Sequence, residues 1–262
     1  MTAPSQFRRS VREGVHRGPT AGQCEGFVQV NLMILPQQYA VDFHWFCRLN
    51  DRACPLLAVG EPGSWKLPAL GEDIDVRVDL PKYSVYRAGE PVQSCTDLNS
   101  VWRDDLVVFA IGCSFSFDFL LLSNNVPIRH IELNGSAPVF ITNIPNVRSG
   151  PFAGNLAVSM RPLGPADAIR AIEITSRYPK VHGGPVHFGD PEAIGIEDIA
   201  RPDFPGVSDL REREVPIFWP CGLTPQVAVM DAGLPFAIGH AAGHMLVTDI
   251  RLSDLMTEVQ NP

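Results

Sequence analysis

Residues 106–118, LVVFAIGCSFSFD, decide the fold class of this 262-residue chain. Apolar side chains run unbroken from Leu106 to Ile111, then give way to Gly112, Cys113 and Ser114. Such a run predicts a buried strand, and Phe115 to Leu122 predicts a helix directly after it. At a strand-to-helix turn the first helical N–H groups lack intrahelical acceptors and carry partial positive charge. The turn therefore predicts a docking point for a carboxylate or phosphate, with Ser114 and Ser116 as hydroxyl donors and Cys113 as a thiol of lowered pKa. The plainer alternative is a helix-capping turn holding a small buried cysteine.

Toward the N-terminus, a short helical patch near Arg8 leads through a Gly/Pro loop to an apolar stretch, Phe27–Leu35, broken by Gln29 and Asn31. Pro36 is placed to start a helix whose Tyr39, Ala40, Phe43, Phe46 and Cys47 recur at three- and four-residue steps. Residues 75–85 alternate like an edge strand broken at Pro81, and a short helix is expected at 97–102. Beyond the central turn, 126–133, 138–143 and 156–161 predict strands, and 165–178 an amphipathic helix opened by Pro165. Val215–Trp219 predicts another strand, and Ser253–Gln260 a last short helix. Strands interleaved with helices imply an α/β class: a mixed β-sheet core with flanking helices and many Gly/Pro-rich loops. Residues 1–262 are expected to form a single domain, with two unequal sub-lobes as the alternative.

Composition excludes several functions. Net charge is −8, and no basic run exceeds Arg8–Arg9, so the clustered positive charge that nucleic acid demands is missing. No apolar run approaches the 18 residues of a membrane span, and the polar N-terminus lacks the apolar core of a secretory signal. The six cysteines (24, 47, 54, 95, 113 and 221) show no CxxC and no paired spacing, which points to a reducing, cytoplasmic setting.

Four Gly-rich turns carry the reactive residues: 112–118, 182–190, 220–226 and 239–244. Ligands bind α/β folds at strand ends, so these turns are expected to converge. Cys113 and Cys221 are either small core residues or thiol acid/base groups facing each other across a substrate. His187, His240 and His244 are candidate proton-transfer groups, since imidazole titrates near neutrality; Asp190 would orient one of them, and Asp249 is a weaker acidic candidate. A divalent metal on His182/His187 and His240/His244 is a lesser alternative, because two glycines argue against a helical His240/His244 pair and no HEXXH is present. Arg129 and Arg161 fall in buried-looking segments, where a guanidinium requires a carboxylate partner or an anionic substrate. Glu132 and Asp118 are the available partners, and one arginine is expected to serve each purpose. No P-loop, strand-linked GxGxxG or GxSxG occurs.

The ordered series GPTAGQCEGFVQVNLMILP, CPLL, DLPKY, IGCSFSFD, RHIELNGSAPVFITN, FAGNLAVSMRP, HGGPVHFGDP, VPIFWPCGLTPQ and GHAAGHMLVTD resembles a hydro-lyase family whose relatives include the D-glutamate cyclase of mitochondria. The resemblance runs from about Arg12 to Asp249. Asp118, Pro220 and Gly184 stand where glutamate, alanine and alanine are expected. What the resemblance implies is a lyase-type enzyme without cofactor, removing water from D-glutamate to give 5-oxo-D-proline. On that basis the Cys113 turn with Ser114 and Ser116 receives one substrate carboxylate, Arg129 or Arg161 holds the other, and His187 with His244 or His240 exchanges protons. Cys113 then orients substrate or shuttles protons, because an unactivated carboxylate is a poor target for a thiolate. A Cys113/Cys221 racemase or epimerase, a hydroxy-acid dehydratase and a non-catalytic carboxylate-binding protein are the alternatives. The expected partner is a small-molecule carboxylate, with no nucleic acid and no membrane; a homodimer is a further expectation.

Overall fold

A computed structural model describes residues 2–257. Its helices are α1 (Pro4–Arg12), α2 (Ala40–Leu49), α3 (Phe115–Ser123), α4 (Arg129–Glu132), α5 (Pro165–Thr175) and α6 (Thr224–Asp231). The strands of the larger sheet are β1 (Phe27–Pro36), β2 (Leu56–Val59), β3 (Tyr83–Arg87), β4 (Glu90–Cys95) and β5 (Leu106–Gly112), joined late in the chain by β10 (Ala237–His240) and β11 (Leu246–Arg251). A second sheet contains β6 (Val139–Pro145), β7 (Asn155–Leu163), β8 (His187–Phe188) and β9 (Val215–Pro220). The α/β class expected from the sequence is the one found.

The larger sheet has the order β2-β5-β1-β10-β3-β4, and the smaller β6-β7-β9-β8; the pairings that define them are antiparallel. β5 lies against β1 along its whole length, from Val30↔Gly112 to Pro36↔Leu106. The other edge of β1 is shared. β11 pairs there up to Val30, and β10 takes over at Met33. Asn31 and Leu32 therefore stand where one partner has ended and the other has not begun.

The continuous apolar run in β5 reflects burial on both faces. Val108 and Ala110 pack with Leu32, Phe117, Leu121 and Trp219, whereas Val107, Phe109 and Ile111 pack with Phe43, Phe46, Met160 and Phe218. Both sheets contribute to both clusters, and each fully buried aliphatic or Phe side chain adds roughly 1.5–3 kcal/mol. Phe43 anchors α2 by edge-on contacts with Phe109 and Phe152, at 4.8 and 5.0 Å between centroids. At the N-terminus, Arg8 is fully buried, donates to the Val247 carbonyl at 2.9 Å and pairs with Asp249 and Asp73. Asp249 thus pins α1 to β11, a structural role.

Several local expectations are corrected. Pro36 closes β1 instead of opening a helix; a 3-10 turn, Gln37–Tyr39, separates it from α2. Residues 75–82 form turns, held by Asp79, which accepts from the Asp75 N–H at 2.8 Å and pairs with Arg12. The short helix expected at 97–102 is a series of turns. Residues 126–133 are not a strand: Pro127 lacks an amide hydrogen for a ladder, and α4 turns Arg129 toward the more exposed Asp209 and His130 toward the buried Asp118. The last helix is a 3-10 turn, Leu252–Leu255, and residues 258–260 of that expectation lie outside the described residues.

Candidate active site

Gly112 ends β5 because nothing larger fits: a Cβ there would overlap the Lys180 carbonyl oxygen. Cys113 follows, its N–H donating to the Gln29 carbonyl at 3.1 Å, and α3 begins two residues later. Gly222, after Cys221 at the end of β9, is constrained likewise, since a Cβ would overlap the Asn31 side-chain amide. The Gly222 approach packs the Cys221 turn on Asn31, and the Cys113 turn reaches the same residue from the β5 side of β1, through the Gly112 carbonyl that accepts the Asn31 Nδ2–H at 2.9 Å. Cys113, Cys221, Asn31, Ser114, Ser159 and His240 all line one cavity of about 40 Å³. Three of the four expected turns converge here: 112–118, 220–226 and 239–244, the last through His240, Ala242 and Gly243.

Behind the cavity wall lies a buried ionic cluster. Arg161 on β7 donates from Nε to Asp118 Oδ1 at 2.8 Å, from Nη1 to Ser159 Oγ at 3.1 Å, and toward Ser114 Oγ at 3.4 Å. Its guanidinium lies 5.0 Å from the Phe117 ring centre and 5.3 Å from that of Trp219. The second oxygen of Asp118 meets His130 Nε2 at 3.1 Å. Burial alone would raise the Asp118 pKa, but Arg161 and His130 outweigh it and hold the carboxyl below its ordinary value. The charge of Arg161 is thus balanced, while the two hydroxyls it contacts also face the cavity.

The thiols do not behave as the turn predicts. Burial pushes Cys113 up to about 12, outweighing the Phe115 N–H and Arg161 that act to lower it. Burial likewise pushes Cys221 up to about 11. Both are neutral thiols at pH 7. The expected lowering by a helix N-terminus is overruled by desolvation, which outweighs it when a thiol is sealed from water.

Other expected site residues fall elsewhere. His187 is on β8 and lines a separate, open cavity of about 570 Å³ with Arg52, Ser176 and His182. Its Nε2 meets the backbone carbonyl of Asp190 at 2.6 Å, while the Asp190 carboxylate accepts the Glu192 N–H at 3.0 Å and so orients no imidazole. His244 lies in the β10–β11 turn beside the first cavity without lining it; its Nδ1 is 2.8 Å from the Ala242 carbonyl. Burial first, then the charges of Lys82 and His16, lower its pKa. Ser116 Oγ accepts the Gln29 N–H at 2.9 Å, tying α3 to β1. Arg129 is committed to Asp209, Glu214 and Glu132. Among the described residues, no three His, Cys, Asp or Glu side chains cluster as a metal-ligand set.

Ser159, Asn31 and His130 were not singled out from the sequence. Ser159 carried a usable signal, because residues two apart on a strand share a face and it precedes Arg161 by two. Asn31, with Gln29, interrupts an otherwise apolar strand at a buried position.

The architecture defines a class of α/β protein with a small buried pocket, walled by thiols, hydroxyls and an amide, at the junction of two antiparallel sheets. Comparison with known proteins places it more closely. The family model described as D-glutamate cyclase matches residues 107–249, which includes both cysteine turns, Ser159, Arg161 and His240. A protein named "Putative hydro-lyase" from Burkholderia ambifaria is 56% identical over 252 residues, covering 96% of this chain and 98% of that one. One of the same name from Paraburkholderia phytofirmans is 56% identical over 247 residues, covering 94% and 95%. The chain belongs to the D-glutamate cyclase family, and is an enzyme of lyase type. Among solved structures, a nitrogen repressor-like protein from Methanococcus jannaschii aligns over 98% of each chain at 14% identity, with a TM-score of 0.43. No helix is long and apolar enough to cross a membrane among the described residues.

Proposed function

We propose that the enzyme closes D-glutamate to 5-oxo-D-proline with loss of water, in the cavity bounded by Cys113, Cys221 and His240. The observation that carries this reading is the Arg161 guanidinium, neutralised by Asp118 yet bonded to two cavity hydroxyls, Ser159 and Ser114. Those hydroxyls, which accept from Arg161 and keep their own hydrogens to donate, are suited to hold a substrate carboxylate without leaving a bare charge in the pocket.

The reaction is a dehydration within one molecule. The α-ammonium loses a proton, the amine attacks the side-chain carboxyl carbon, a C–N bond forms and a C–O bond breaks. The departing oxygen leaves as water with the two protons given up by nitrogen. Because nucleophile and electrophile share one chain, holding it folded removes much of the entropic barrier. Cys113 and Cys221 serve as proton carriers, since both hold their protons at neutral pH. The cavity is smaller than the roughly 300–1,000 Å³ of ligand pockets. Substrate entry therefore displaces the Phe204–Pro205 strap, tied to the 136–139 segment by the Phe204 and Val207 N–H groups.

A racemase using the two cysteines is the second reading, favoured by both thiols lining one cavity. It requires one of them as a thiolate, which their raised pKa values oppose. The free state of all six cysteines supports a reducing, cytoplasmic setting. Proton NMR in heavy water with D-glutamate tests the proposal: a lactam ring is expected, whereas α-deuteration without ring closure, or no change, removes it.

A further inference from the structure

We propose that the open cavity beside β8 is a second ligand site, built for a zwitterionic α-amino acid with an apolar side chain. It stands independently of the cyclase reading.

This cavity measures about 570 Å³, within the roughly 300–1,000 Å³ of ligand pockets, whereas the cysteine cavity measures about 40 Å³. The two share no lining residue. Three segments wall the larger one: the loop after α2, the end of α5, and the Gly-rich turn from Pro179 into β8. Ile172, Val186 and Phe188 give it an apolar surface. β8 is a two-residue strand at the edge of its sheet, and it leaves Phe188 65% exposed.

Arg52 is held in this wall at both its ends. Its backbone carbonyl accepts from His182 Nδ1 at 2.9 Å, while its Nη2 donates to the Gly184 and Pro185 carbonyls at 2.6 and 3.1 Å. Carbonyls carry no net charge, so these bonds fix the guanidinium without neutralising it. His182 is buried at φ +80°, a left-handed conformation that is costly for a residue with a Cβ. Gly184 has to be small, since a Cβ there would come within 2.6 Å of Ser176 Oγ. The turn is thus folded around the Arg52 side chain, and a ligand meets a guanidinium whose ordering cost has already been met.

The lining side chains include one carboxylate, Asp51, beside the one guanidinium. Burial pushes His182 down to about 4, so it adds no charge at pH 7. A lone anion would suit Arg52 and be repelled by Asp51, and a lone cation the reverse. An uncharged apolar molecule would leave both without a partner. An apolar α-amino acid answers all three features: its carboxylate meets Arg52, its ammonium meets Asp51, and its side chain covers Ile172, Val186 and Phe188.

Methyl NMR of Ile172 reads the site directly, with the δ1 signal assigned by its loss in Ile172→Val. Titration with D-leucine and L-leucine is expected to shift that signal saturably for at least one of them. Hexanoate and hexylamine, which each keep a single charge, should bind about tenfold more weakly, the scale of one hydrogen bond to a charged group. Arg52→Met and Asp51→Asn should each weaken leucine by a similar factor, and Ser159→Ala, in the other cavity, should leave it unchanged. Asp51→Asn keeps the shape of the wall and serves if Arg52→Met, which also gives up two carbonyl bonds, fails to fold. No saturable shift with either leucine, equal binding of hexanoate or hexylamine, or leucine binding unaltered in both charge variants overturns the proposal.

Discussion

Arg161 and Asp118 meet at 2.7 Å where neither side chain reaches water, Arg161 being 1% and Asp118 4% exposed. Removing one partner of a buried pair leaves the other charged and unsolvated, which costs about 3–5 kcal/mol. Asp118→Asn should therefore lower stability by that order in a denaturant titration, and depress turnover because Ser114 and Ser159 lose their anchored guanidinium.

The same pair contributes to acid sensitivity. Burial acts to raise the folded-state pKa of Asp118, but Arg161 and then His130 together outweigh it and leave it lowered. Its stabilisation is thus complete above the unfolded value of about 3.9 and is lost as pH falls from there through the folded value. Stability curves of wild type and Asp118→Asn should converge as pH falls below about 4. Curves that stay parallel to pH 2 would show that the carboxylate is not the group concerned.

Two buried histidines act at milder acidity. Burial pushes His182 and His240 down to about 4 from an ordinary 6.5. A depressed histidine favours the folded state in its neutral form, so this stability is fully present above about 6.5 and drains as pH falls toward 4. Each group accounts for up to about 3 kcal/mol, at 1.36 kcal/mol per pKa unit. The melting temperature should fall over that window, and His240→Gln should make the fall shallower.

The raised thiol pKa values forecast slow alkylation. Iodoacetamide should modify Cys113 and Cys221 far more slowly than an exposed thiol at pH 7, with a rate still rising at pH 10. A plateau below pH 8, read by mass spectrometry of the labelled peptides, would mean that one of them is a thiolate in the native protein.

Two candidate residues are expected to be dispensable for chemistry. Arg129 spends its guanidinium on Asp209 and Glu214, and His187 opens into another cavity. Arg129→Met should lower the melting temperature, and His187→Asn should leave kcat within about twofold, far short of the 10²–10⁴ of a lost general acid or base. A hundredfold fall in kcat for His187→Asn would restore that residue to the mechanism.

What the sequence disclosed follows the range of the forces involved. The run Leu106–Ile111 and the helix after it were legible because burial on both faces and helical spacing are local patterns. Residues 126–133 misled because their apolar positions suit a strand, while the groups that decide them, Asp118, Asp209 and Glu214, are remote in sequence. Cys113 and Cys221 were recognisable as strand-end residues, but their convergence depends on pairings remote in sequence, the Cys113 N–H on the Gln29 carbonyl and the Cys221 N–H on that of Ala157. His187 shares the same Gly-rich signature and lands elsewhere, since a turn motif does not specify which edge of a sheet it decorates. The lowered pKa expected of Cys113 failed for a related reason: the helix end was visible in the sequence and the depth of burial was not.

Ser159 offers the most direct test, because Ser159→Ala removes one hydroxyl while leaving Arg161 paired with Asp118. Ring closure of D-glutamate should be followed by proton NMR in wild type, Ser159→Ala and His187→Asn. Lactam should form at similar rates in wild type and His187→Asn, and about 10–100-fold more slowly in Ser159→Ala, the scale of one hydrogen bond to a charged group. Equal rates in all three, or no lactam from the wild type, would contradict the assignment of this cavity to that reaction.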